Sequence, residues 1–510
     1  MPTRSLRTTI ILPTLVIAAL FAEAALAQIT LVPGTSLGVA REPEFAALGD
    51  LDGDDTAEAV VLSPDDDALA VFSASLGGVL MRGISRSLGR RLSGVAVRDF
   101  DGDGDGDVLI ADATGGAQDG DLLLLRGSGN GTLGEPESFP LPVSALRGFA
   151  VGDFDGDGDP DAALATGTRG EIAVLLNDGN ATAFTALPIF ELERDPRLLR
   201  AARIDASMAD TLLVLNTNSG RNEEIVFLRA TTGVVSAPAP AVRITGTDPV
   251  DFVTGDFNRD GATDIVVLHD EVDRDFFVSV LLNQTASGPG GTEPTGSFLV
   301  RSSIPFNCPT EAGGDLTRCI PEAIAAGDFD RDGFTDLAVS FSRPPELMYL
   351  NGLGGGEFGV AGRFRSETAD EPVTIVAGDM TGNRAADLLV GDTGTDTITL
   401  LRADVPAPQP DGSECSRGNE CNSSVCLDGV CCRFLTCPSG QRCDIPGREG
   451  SCAPLAPVGT GCEAGDTCTT GFCVDEVCCA NPSCGEGQTC ARPGSLGTCS
   501  AAPPTATPTA

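Results

Sequence analysis

Residues 152–165 read GDFDGDGDPDAALA, with five aspartates on alternate positions followed abruptly by an apolar run. So much like charge in one short loop needs a reason, because two carboxylates about 4 Å apart repel by roughly 1 to 4 kcal/mol, depending on the local dielectric. The stretch fits D-x-D-x-D-G-x-x-D, with side-chain ligands at positions 1, 3, 5 and 9, a backbone carbonyl at 7 and a glycine at 6 for the sharp turn. Side chains on alternate residues of a curling loop converge on one point, which suits a calcium ion with its six to eight oxygen ligands.

The stretch recurs about every fifty residues. Seven copies are visible: GDLDGDDTAEAVVL (49–62), RDFDGDGDGDVLIA (98–111), GDFDGDGDPDAALA (152–165), RIDASMADTLLVL (203–215), GDFNRDGATDIVVL (255–268), GDFDRDGFTDLAVS (327–340) and GDMTGNRAADLLVG (378–391). The candidate ligands are Asp99, Asp101, Asp103 and Asp107 in the second copy, and Asp153, Asp155, Asp157 and Asp161 in the third. Asp105 and Asp159, at the seventh position, count with them. The fifth copy offers Asp256, Asn258, Asp260 and Asp264, and the sixth Asp328, Asp330, Asp332 and Asp336. The first keeps Asp50, Asp52, Asp54 and Glu58, but Asp55 stands where glycine is expected. About four to five calcium sites are therefore expected.

Two copies break the pattern. The fourth reads as one residue shorter, with Arg203 at position 1 placing a fixed positive charge near Asp205 and Asp210, where arginine stands in for the ion. The seventh keeps only Asp379, Asn383 and Asp387, with Thr381 and Arg384 at positions 3 and 6, so weak or no binding is expected there.

Around each acidic loop the apolar runs are four to seven residues long, often alternating, and punctuated by Gly, Asn and Asp. That is the signature of strands and hairpins. Four antiparallel strands repeated seven times predict an all-β, seven-bladed β-propeller; an open solenoid is the competitor. The seventh unit has only three strands before the linker that follows Asp404, so QITLVP (28–33) is expected to pair beside residues 396–403 and close the ring. The wider interval between the fifth and sixth units holds ASGPGGTEPTGS (286–297) and Cys308 and Cys319, and reads as a loop insertion with a disulfide of its own.

The acidic loop, the apolar strand after it and the turn before phenylalanine (LNDGNATAF, LNGLGGGEFG) resemble the FG-GAP repeats of the integrin alpha-subunit propeller and their bacterial VCBS-type relatives. The resemblance spans residues 28–404. It implies a seven-bladed propeller with calcium in loops on one face, and a role in adhesion or surface recognition. The Gly-Ala-Pro segment is not kept, no inserted metal-dependent adhesion domain is visible and no Arg-Gly-Asp occurs, so the fold transfers better than the integrin function.

Beyond the repeats, residues 1–27 read as a secretory signal peptide: Arg4 and Arg7, an apolar run from Ile10 to Phe21, and Ala25-Leu26-Ala27 as the cleavage site. A formal charge of −40 with no lysine excludes a basic footprint for nucleic acid. The expected partner is a protein or a cell-surface or matrix component, and the expected location extracellular, with a periplasmic or surface-associated alternative. Residues 405–413 form a linker. Cysteines 415, 421, 426, 431, 432, 437, 443 and 452 recur shifted by 47 at 462, 468, 473, 478, 479, 484, 490 and 499. This predicts two small disulfide-rich modules, 414–455 and 456–500, each with four bonds of open connectivity. Zinc is the alternative; it is disfavoured because the region has no histidine and no C-x-x-C. CLDGVCC and CVDEVCC loosely resemble Dickkopf amino-terminal-type modules, which imply binding. A Thr/Pro tail, 501–510, follows.

No catalytic constellation stands out. The single histidine, His269, reads as a surface loop residue and the single tyrosine, Tyr349, as packed or on a strand. The leading expectation is an interaction scaffold. The alternative is a polysaccharide-acting lyase or hydrolase on the same calcium-bound propeller, although the clustered acids are already assigned to calcium and there is no tryptophan to stack on sugars. Asn130, Asn180, Asn283 and Asn422 sit in N-x-S/T sequons, the first three read as equivalent hairpin turns.

Overall fold

The computed structural model describes residues 31–501 apart from 114–119, 144–145, 167–169, 193–194, 218–222, 232, 238–240, 245–247, 271–275, 289–290, 302–303, 307–318, 365–370, 406–408, 416–420, 422, 424, 435, 439–440, 445–448, 460–467, 471, 485–487 and 492–494. The expected signal peptide, residues 28–30 of the expected closing strand, Cys308, Asn422, Cys462 and residues 502–510 of the Thr/Pro tail lie outside the described residues. Among the described residues no helix is long and apolar enough to cross a membrane.

Seven antiparallel sheets follow one another along the chain. The third is typical: Leu146–Gly152, Asp161–Thr166, Glu171–Asn177 and Phe184–Ala186 pair in sequence order, with the acidic loop joining the first two strands. The second strand of a blade is covered by neighbouring blades on both faces. Its residues are therefore almost continuously apolar and buried throughout, as in Asp161–Thr166 and Asp107–Asp112. Outer strands face solvent on one side and alternate instead, as in Leu80–Ser87.

The first strands contact one another in a closed cycle. Phe45–Gly49 meets Leu92–Arg98, followed in turn by Leu146–Gly152, Asp195–Ala202, Pro249–Gly255, Ile320–Gly327 and Pro372–Gly378, which returns to Phe45–Gly49. The units thus form a ring, and the linear solenoid is excluded. Closure occurs where the strand count demanded it. Leu31–Gly38 pairs antiparallel with Thr397–Ala403, from Leu31 opposite Ala403 to Gly38 opposite Thr397. The pairing runs five residues beyond the expected Pro33.

The core is distributed between blades. One apolar cluster joins the third and fourth blades through Phe154, Leu164's neighbours Ala163 and Ala165, Leu199 and Val214, and another joins the seventh to the first through Met380, Leu389, Val61 and Phe72. Each fully buried Leu, Val or Phe in such a cluster contributes about 1.5 to 3 kcal/mol.

Three expectations are corrected. The inserted stretch extends a hairpin and is not a plain loop: Phe276–Gly288 and Gly291–Val300 pair from Leu281 opposite Val300 to Gly288 opposite Gly291, with a register shift between Asn283 and Thr285. Its second strand is the blade's outer one, the place in a sheet where proline is tolerated. His269 is fully buried on the strand Asp264–Asp270, stacked 4.3 Å from the ring of Phe277. Asn283 is also fully buried, its Nδ2 donating to Ile204 O at 2.7 Å; it occupies the register of Asn177 and not that of Asn130 and Asn180, so it is no surface acceptor. Tyr349 lies buried on the strand Pro345–Gly354, as expected.

The C-terminal region is cross-linked in a repeated order. Cys415 bonds Cys426, Cys421 bonds Cys431, Cys432 bonds Cys443 and Cys437 bonds Cys452. The second copy repeats the last three as Cys468 with Cys478, Cys479 with Cys490 and Cys484 with Cys499. Cys319 and Cys473 are disulfide-bonded too. Cysteines engaged in disulfides are not zinc ligands.

Candidate metal centres

Each acidic loop winds its backbone around its own carboxylates. In the third, Asp153 Oδ1 accepts the N–H of Gly156 at 2.7 Å and Oδ2 that of Gly158 at 3.0 Å. Asp155 Oδ1 accepts from Asp157 at 3.3 Å, and Asp157 Oδ1 from Asp159 at 3.0 Å. The buried Asp161 takes the N–H of Phe154 at 2.9 Å on one oxygen and that of Asn177, on the third strand, at 2.8 Å on the other. The same frame is built by Asp99, Asp101, Asp103 and Asp107, by Asp256, Asn258, Asp260 and Asp264, and by Asp328, Asp330, Asp332 and Asp336. In the first loop Asp50, Asp54 and Glu58 do likewise, Glu58 accepting the Leu51 N–H at 2.8 Å.

The turn explains the glycine. Position 6 is left-handed in each regular loop, from φ +101° at Gly158 to +84° at Gly261 and Gly333. Asp55 adopts +67° and Arg384 +64°, so loops one and seven keep the turn at the steric cost that glycine avoids. Position 4 is left-handed as well, a constraint missed in the sequence because Arg259 (+61°) and Arg331 (+57°) share it with glycines. These two arginines reach the next loop along the ring: Arg259 stacks on Phe334 at 4.7 Å, and Arg331 donates to Asn383 O at 2.8 Å.

Position 2 ties the loop to the ring. Phe100, Phe154, Phe257 and Phe329 are almost fully buried between their own blade and the next, while their N–H groups hold the ninth-position carboxylates. Anything that orders the loop therefore also orders an interblade contact.

The ninth-position acids sit in an unfavourable place for charge. Burial pushes Asp107 up to about 6, Glu58, Asp161 and Asp264 up to about 7, and Asp336 up to about 8, against the opposing pull of their backbone N–H donors. Burial and the neighbouring acids Asp157 and Asp153 raise Asp155. A divalent cation would reverse this balance. The donor set fits one: carboxylate oxygens of Asp99, Asp101 and Asp107 all lie within 4.8 Å of one another, as do those of Asp50, Asp52 and Glu58, giving hard oxygens from positions 1, 3 and 9. Asp105 and Asp159 lie instead beside Gly129 and Gly179 of their blade's outer hairpin, where a larger residue would clash with them.

Residues 99–164 and 328–390 match the family model of the FG-GAP-like repeat. This chain carries FG-GAP-like repeats. The two matched windows each begin at an acidic loop and end on the second strand of the following blade. No curated protein matches the sequence.

The irregular FG-GAP-like repeats hold their loops by other means. In the fourth, Thr211 pairs with Ala202 as Asp161 pairs with Gly152, so position 9 is Thr211 and the loop is of ordinary length. The loop is therefore not one residue shorter, as its sequence suggests. Asp210 is instead at position 8 and accepts the N–H of Asp153 in the neighbouring loop at 3.1 Å. Arg203 turns to Ser207 O at 2.7 Å, and the arginine that pairs with Asp205 is Arg229, from the third strand of the blade. In the seventh repeat Asn383 Nδ2 turns inward to Ala403 O at 2.9 Å.

Proposed function

We propose that this chain is a secreted, calcium-stabilised FG-GAP propeller that presents its faces to a protein or surface partner. The observation that carries the reading is the convergence of carboxylates from positions 1, 3 and 9 on one small volume in the first and second loops, within a loop frame that recurs around the ring and also anchors the interblade phenylalanines. The ligands would be Asp50, Asp52, Asp54 and Glu58; Asp99, Asp101, Asp103 and Asp107; Asp153, Asp155, Asp157 and Asp161; Asp256, Asn258, Asp260 and Asp264; and Asp328, Asp330, Asp332 and Asp336. Bound calcium would neutralise acids that otherwise repel, and its role is structural. The disulfides and the arginine-led apolar segment at the start of the chain support export to an oxidising compartment. The fold supports a scaffold role, since FG-GAP propellers are typical of interaction proteins.

The test is calcium content and melting temperature of the purified chain before and after chelation. An ion that binds only the folded state stabilises by about 1.4 kcal/mol per site at tenfold excess over its Kd, so four or five sites amount to roughly 6 to 7 kcal/mol. The double variant D155N/D157N should lose one equivalent of calcium. A chain that takes up none, and melts at the same temperature with and without chelator, would refute the reading.

A further inference from the structure

One register of the third strand distinguishes the blades. The residue that follows the partner of loop position 10 is Leu176 in the third blade, where Ala162 pairs Leu175, and Leu282 in the fifth, where Ile265 pairs Leu281. It is Arg126 in the second blade and Arg229 in the fourth, after Leu125 opposite Val108 and Leu228 opposite Leu212. Both arginines pair with the position-3 acid of their own loop, Arg126 with Asp101 and Arg229 with Asp205. Arg402 holds the register in the seventh blade, but position 3 there is Thr381, and Arg402 pairs with Asp404. The arginine therefore enters the loop where an acid waits at position 3.

We propose that Arg229 is the built-in cation of the fourth loop, and that Arg126 competes with calcium for Asp101 and makes the second loop the weakest of the calcium loops. The proposal rests on the calcium reading above. Arg229 spans the positions an ion would join: its guanidinium pairs with Asp205 at position 3, while Nε donates to Thr211 Oγ1 at position 9 at 3.2 Å. Positions 1 and 5, Arg203 and Ser207, have no carboxylate to offer. The outer hairpin of the fifth blade also reaches this loop, through a bridge between Thr295 and Asp205. In the second blade all the acids remain, and Arg126 shares Asp101 with them. The same guanidinium donates to Ala181 O at 2.9 Å and Asn180 O at 3.3 Å in the third blade's hairpin. Calcium taking Asp101 must displace or repel this group, and the contact with the neighbouring blade loosens as the loop fills.

Calorimetric calcium titration of the full chain tests the first half, comparing wild type with R126Q, R126L and D101N. R126L installs the residue of the third blade and is run beside R126Q so that one folded variant is in hand. The expected wild-type isotherm has a tight class and one weaker site; D101N removes the weaker site and the Arg126 variants tighten it by about tenfold, the equivalent of about 1.4 kcal/mol. Isotherms of the Arg126 variants that overlay the wild type overturn the competition. R229Q tests the second half without metal uptake: it should lower the melting temperature equally in calcium and in chelator and add no binding site. A melting temperature unchanged from wild type, or a new calcium equivalent, overturns the built-in cation. Wild-type protein that binds no calcium refutes the calcium reading instead, while the R229Q melting experiment still decides the role of Arg229.

Discussion

The propeller and the cysteine-rich region repeat a unit with equal regularity, yet they are held together by different physics. Each propeller blade buries apolar strands against both neighbours, so the ring carries an extended core. The blade-joining clusters contain large side chains such as Phe154, Phe252 and Phe341 at 1% exposure or less. Among its described residues, the first cysteine module buries little beyond Val430, Ala453 and the half-cystines. Segments this short cannot supply a core, and cross-links take its place. The comparison teaches that the acidic loops are an addition to a stable packing, whereas the disulfides are the condition of their modules' existence.

Reduction should give the largest effect. Each bond closes a loop of 10 to 15 residues and restricts the unfolded chain by about 3 kcal/mol, so losing four leaves a module with no fold of its own. Hydrogen exchange under reductant should collapse across residues 409–501 and stay protected in the strands of the ring; chelator should do the reverse, exposing the loops and leaving the modules intact. Propeller strands away from the half-cystine Cys319 that lose protection under reductant alone would break the comparison.

Next comes pH, through the buried ninth-position acids. In ion-free protein their folded pKa values, about 6 to 8, lie above the usual carboxylate value. Such groups favour the folded state fully below their unfolded pKa of about 4, and that contribution is lost as pH rises towards 8. Stability in chelator should therefore fall between pH 4 and 8. With calcium the ionised form is the binding form, and the trend should invert, as read from melting temperatures in the two series. Parallel curves in the two series would mean that these acids do not serve an ion.

Among single substitutions, Phe154→Ala should cost about 3 to 5 kcal/mol by opening a cavity between the third and fourth blades. Chemical denaturation measures it, and the loss should persist in chelator because the phenylalanine belongs to the packing. A loss confined to calcium-loaded protein would instead place Phe154 with the loop.

Much of this was legible in the sequence because its signals are local. Alternating acids, a glycine at position 6 and strands of even length fixed the blade count, and the missing strand after Thr397–Ala403 pointed to its replacement at the other end. What escaped depended on neighbours in space. Nothing in RIDASMADT tells that Thr211 and not Asp210 stands at position 9, because only pairing with Ala202 sets that register. The partner of Asp205 lies on another strand, and His269 reads as a loop residue until Phe277 is seen stacked on it. The connectivity of eight cysteines is likewise a property of the folded module.

The smallest effect concerns the turn itself. Gly158 at φ +101° has open space around it, with no atom within 4 Å of a hypothetical Cβ, so Gly158→Ala should act through backbone strain alone and cost about 1 to 2 kcal/mol. Asp55 occupies the same left-handed position in the first loop at φ +67°. Asp55→Gly should therefore stabilise that loop by up to a similar amount and, by bringing its turn closer to the regular form, tighten its calcium binding. The two substitutions are mirror images of one physical statement, and melting curves of both in chelator decide it: the alanine must destabilise and the glycine must stabilise. Shifts of the same sign would mean that position 6 is chosen for something other than its dihedral angle.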